Sequence, residues 1–132
     1  MPIDKITLIN VDPPKKADIN TELQWLGASL GLFGQRDKDS SCFRIFITLV
    51  RSAKKQEVLS SDEIAHRCML SRGTVVHHLN KLRDAGLVSP GNQGYSLSAQ
   101  TIQDSIQELE DELQQMMQLL QAVAKDIDDK LH

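Results

Sequence analysis

Apolar positions recur along this chain with several different periods, and each change of period marks a boundary. Ile6, Leu8 and Ile9 through Val11 alternate loosely, and the run Asp12-Pro13-Pro14-Lys15-Lys16 then forbids a helix interior. The first 17 residues therefore suggest an arm or an edge strand. From Thr21 to Phe33, the residues Leu23, Leu26, Leu30 and Phe33 return at helical spacing with Trp25 alongside, and Gly34 stands where a C-cap glycine belongs. The polar run Gln35-Arg36-Asp37-Lys38-Asp39 leads to another predicted helix, starting near Ser40 or Ser41 and carrying Phe43, Phe46, Ile47, Leu49 and Val50.

Ser60-Ser61-Asp62-Glu63 has the form of a capping box, with the Ser60 hydroxyl taking an orphan amide and Glu63 reaching back. That helix runs to about Cys68. Met69-Leu70 break the chain, Ser71 is a natural N-cap, and the next helix ends at Gly86, able to take the left-handed C-cap conformation. Two short helices joined by a tight turn make a helix-turn-helix. Leu87-Val88 and Tyr95-Ser96-Leu97 then flank the turn-rich run 89–94, which predicts a β-hairpin wing. Beyond Thr101 there is neither proline nor glycine, and Ile102, Ile106, Leu109, Leu113, Met116, Leu120, Val123 and Ile127 follow a 4,3,4,3 spacing. This is a heptad seam, expected to pair two copies of the chain.

The expected fold is mostly α with a small β-hairpin wing (α+β): a winged helix-turn-helix with a long C-terminal dimerisation helix. It divides into residues 1–40 (arm and amphipathic helix), 41–98 (DNA-binding domain) and 99–132 (coiled-coil-like helix). A length of 132 residues suits one domain with an appendage. The net charge of −3 argues weakly against a polyanionic partner, but its distribution reverses that reading. Residues 41–98 hold eight Lys/Arg against four Asp/Glu, whereas residues 99–132 hold two against eight. A basic middle beside an acidic tail points to one module that meets an anion and another that does something else.

At about 100° per residue, Val75, His78, Leu79 and Leu82 share one face of the 71–86 helix and should pack inward. Gly73, Val76, His77, Asn80 and Asp84 take the opposite face, with Arg72 at its start and Lys81 on the flank. A major groove admits such a helix; Arg, His and Asn read base edges, and Val76 suits a thymine methyl. Arg72, His77 and Asn80 are the candidates for base readout, Lys81 and Arg83 for phosphates.

The string from Ser71 to Val88 resembles the recognition helix and first wing strand of arsenical-repressor-like winged-helix regulators, with a Ser cap at Ser71, Thr74-Val75, His78-Leu79 and Gly86-Leu87-Val88. The resemblance covers roughly residues 41–98. It implies DNA contact around Ser71 and Thr74, at Arg72, Gly73, Val76 and His77, and it likens the C-terminal helix to the dimerisation helix of archaeal relatives. One departure is plain: the family's wing carries Arg or Lys at its tip, and Gly91-Asn92-Gln93-Gly94 has neither.

The expected partners are double-stranded DNA and a second copy of the chain, with no membrane and an unnamed effector. No cofactor or metal is expected. Cys42 and Cys68 lack CxxC spacing, no cysteine lies near the 58–62 stretch where the family's metal sensors carry theirs, and His66 and Cys68 point to different helix faces. Cys68 is expected to be core, and His77 and His78 to diverge, one toward DNA and one inward. Nothing resembling a secretory leader or a run of roughly 20 apolar residues appears, so a cytoplasmic location is expected. No nucleophile with a positioned base, paired carboxylates in an apolar setting or glycine-rich phosphate loop suggests an enzyme. The competing reading is a winged-helix protein–protein interaction module of the transcription machinery.

Overall fold

The computed structural model describes residues 3–33 and 40–132. They form α1 (Ile19–Ser29), α2 (Ser41–Lys54), α3 (Ser61–Cys68), α4 (Arg72–Asp84), β1 (Val88–Gly91), β2 (Gly94–Leu97) and α5 (Ile102–Leu131). This is the expected α+β winged helix: helices first, then a two-stranded hairpin, then one long helix.

Local chemistry sets most boundaries. Ser60 and Glu63 close a reciprocal capping box at α3. Ser71 caps α4 by accepting from the Thr74 amide at 3.2 Å, and Gly86 leaves the helix with φ +77°. Between these helices Met69 takes a left-handed conformation (φ +56°).

Helix α1 differs from expectation at both ends. Asp18 starts it early, its carboxylate accepting from the Thr21 amide and hydroxyl, each at 2.9 Å. The bond from the Thr21 amide, seconded by its hydroxyl, holds the Asp18 carboxyl below its ordinary pKa. The helix ends at Ser29 because Gly31, at φ +67°, takes the left-handed turn, and Leu30 and Leu32 are buried beyond the helix end. The predicted Gly34 cap and the 35–39 connector lie outside the described residues.

Residues 3–17 form an arm that contains no strand. The Asp4 and Lys5 amides both donate to the Asp84 carbonyl, and the Ile9 amide donates to the Ser29 carbonyl, so the arm lies across the end of α4.

One core joins these parts. Ile45, Phe46 and Leu49 of α2 lie at its centre, against Ile64 and Cys68 of α3, Val75, Leu79 and Leu82 of α4, and Val88 and Leu97 of the hairpin. Leu23 and Leu30 enter from the N-terminal side and Leu109 from α5. Antiparallel pairing of Leu59 with Tyr95 ties the α2–α3 connection to the wing. At Gly94 an added Cβ would collide with the Leu59 backbone, so only glycine permits this approach. No helix among the described residues is long and apolar enough to cross a membrane.

Candidate nucleic-acid interface

Helix α4 is held by its apolar edge and leaves the rest open. Val75, Leu79 and Leu82 are completely buried; His78, expected to join them, is only half-buried. Helical geometry then places Gly73, His77, Asn80 and Asp84 along the outward ridge. Arg72, Val76 and Arg83 lie on one flank, Thr74, His78 and Lys81 on the other. Arg72, Gly73, His77, Asn80, Lys81 and Arg83 are exposed.

The candidate residues divide by what already engages them. Ser71 and Thr74 serve the helix itself: the Ser71 hydroxyl also donates to Thr74 Oγ1 at 2.9 Å. At Gly73 nothing lies within 4 Å of where a Cβ would sit, so the backbone is open to close approach. Arg72 Nε stands 3.6 Å from Asp62 Oδ1, with both side chains largely exposed, an ion pair that water screens and DNA phosphates would outcompete. Lys81 donates to the Leu32 carbonyl at 3.3 Å, which draws it toward the N-terminal segment and away from the Arg72 flank. Its expected role as a simple phosphate contact thus competes with an internal hydrogen bond.

His77 is exposed and His78 half-buried. Although successive Cα–Cβ bonds diverge on a helix, the two rings meet edge to face, with centroids 5.2 Å apart. Among the described residues no group of three or more His, Cys, Asp or Glu side chains is placed to hold a metal ion. Cys68 is buried, its Sγ 3.3 Å from Thr48 Oγ1.

Three contributors were not legible in the sequence. Met69 is 89% exposed in the turn between α3 and α4; its φ is +56°, and no sequence signal marks a methionine for that conformation. Arg44, inside an otherwise apolar stretch, donates to the Cys68 carbonyl at 2.8 Å and so fixes the end of α3. The arm brings Lys5 to the end of α4, where it and Lys81 line one cleft. The wing pairs Val88 with Leu97 and Gly91 with Gly94, and its tip carries no cation.

The dimerisation candidates split along α5. Leu109 is buried in its own chain's core, and Ile102, Ile106 and Leu113 are half-buried. Met116, Leu120, Val123 and Ile127 are 43 to 60% exposed. The first turns of α5 thus anchor on their own domain, and the helix then leaves it.

Three helices, the tight α3–α4 turn and the hairpin that follows define a winged helix-turn-helix, the architecture of a DNA-reading domain. Residues 50–89, from the last turns of α2 into β1, match the family model described as bacterial regulatory protein, arsR family. That segment is thus similar to the helix-turn-helix of arsR-family regulatory proteins. No curated protein and no solved structure matches the chain significantly.

Proposed function

We propose that this chain is a sequence-specific transcription regulator that binds double-stranded DNA as a homodimer, with α4 in the major groove. The observation that carries the reading is the exposed row Arg72, Gly73, His77 and Asn80 on the second helix of an arsR-type helix-turn-helix. These side chains offer donors and acceptors for base edges, and Gly73 lets the backbone come close. Arg83 supplies charge for phosphates, and Lys81 joins it when DNA displaces the Leu32 carbonyl. The exposed seam of α5 supports association: Met116, Leu120, Val123 and Ile127 form an apolar stripe that two copies would cover. A two-fold dimer would offer two copies of α4 to successive turns of the duplex, about 34 Å apart.

Selection of bound sequences from random DNA tests this reading. The expected product is a palindrome with half-sites about 10 base pairs apart. Failure to enrich any sequence would overturn it, and enrichment of a single unrepeated half-site would overturn the dimer.

A further inference from the structure

Behind the DNA-reading face, α1, α2, β2 and the start of α5 surround an open cavity of about 490 Å³, within the roughly 300 to 1,000 Å³ usual for small-molecule sites. Its apolar lining comes from Leu23, Trp25, Leu26, Val50, Leu97 and Ile102. The Trp25 indole N–H is spent on the Val11 carbonyl at 3.2 Å, which fixes the ring and leaves its carbon surface to the cavity.

The polar lining is small and mostly donating: the Lys54 ammonium, the Gln100 carboxamide and the Thr101 hydroxyl, against the single Glu22 carboxylate. Neither Lys54 nor Glu22 is ion-paired among the described residues. Thr101 Oγ1 accepts from the Asp104 amide at 3.0 Å, so its hydroxyl hydrogen remains available to a ligand.

We propose that this cavity is an effector site for an amphipathic organic acid, its apolar body against Trp25, Leu26 and Val50 and its carboxylate at Lys54. The site lies at the joint where the wing passes into α5, beneath the first of the turns that anchor this helix on the domain. An occupant therefore bears on how those anchored turns sit, and through them on the direction of the projecting part and the spacing of paired recognition helices. The regulatory part rests on the DNA-binding reading; the binding part does not.

Trp25 is the only tryptophan in the chain, so its emission reports occupancy on the protein alone. Decanoate, which is optically silent, should change that emission saturably. Lys54→Gln should raise the half-saturation concentration about fivefold, as expected for loss of a partly exposed ion pair. Val50→Phe should fill the cavity and abolish the response. A response that does not saturate, that is unchanged in Lys54→Gln, or that is stronger for decylammonium and dependent on Glu22 would overturn the site. A response that survives Val50→Phe but is lost when distal α5 residue Leu120 is changed to Glu would place the ligand on the seam and likewise overturn it. Saturating decanoate should also change affinity for the selected DNA. Occupancy without that change would overturn the effector role, and absence of all DNA binding would leave the fluorescence result to judge the site.

Discussion

Asp62 stands 3.6 Å from Arg72 at the mouth of the interface, the acidic side chain nearest the residue expected to read a base. It takes no part in the α3 capping box, which Ser60 and Glu63 complete, so it is replaceable without loss of the cap. Asp62→Asn should tighten DNA binding by a few-fold at low salt and much less at high salt, because screening removes the difference. Affinity titrations at two salt concentrations check this, and unchanged affinity at low salt would separate Arg72 from the DNA. Cys68 illustrates the same principle inside the core. A hydroxyl at its Sγ position would find Thr48 Oγ1 within reach, so Cys68→Ser should cost only about 1 kcal/mol. Chemical denaturation measures it, and a loss above about 3 kcal/mol would mean that the hydroxyl is left unbonded.

Two glycines show how element geometry divides stability from function. Gly94 lies where β2 crosses the Leu59 backbone at φ +141°, so Gly94→Ala forces the wing away and should cost about 2 to 4 kcal/mol. Gly73 is helical and open, so Gly73→Ala should raise stability by roughly 0.5 to 1 kcal/mol. The same substitution should weaken DNA binding, because the added methyl blocks close approach of the backbone. Thermal melting and a binding titration on the two variants check both signs; a Gly73→Ala protein that binds DNA as well as the parent would put α4 at a greater distance from the groove. Elements with caps were legible because capping is local: Ser60, Ser71 and Gly86 act within one turn of themselves. The end of α1 was not, since apolar spacing continues to Phe33 whether or not the chain remains helical, and Leu30 and Leu32 are buried either way. The outward ridge of α4 followed from the 3.6-residue period. The tether on Lys81 did not, because its partner Leu32 lies 49 residues away.

At the scale of the whole molecule, a heptad pattern specifies a stripe and leaves open what covers it. Here the stripe is shared: Leu109 completes the chain's own core, whereas Leu120 and Val123 project from it. A variant meant to test association must therefore avoid the first turns, where a charge would also unfold the domain. Leu120→Asp combined with Val123→Asp places four charges between two chains, where desolvation and repulsion oppose pairing. It should sediment as a monomer while the parent sediments as a dimer, with unchanged thermal stability of the winged helix and weak binding to the full palindrome. A parent that is itself monomeric would contradict the paired arrangement.

The most direct measurement is the ratio of affinities for the selected sequence and a scrambled duplex, taken for the parent and for Arg72→Ala combined with His77→Ala. The expectation is a large ratio in the parent, falling by about 2 to 5 kcal/mol equivalent in the double variant, as two base contacts are lost. Binding to the scrambled duplex should weaken only slightly, since the exposed Arg83 would remain for the phosphates. A double variant that keeps the parent's ratio would contradict the placement of α4 in the major groove.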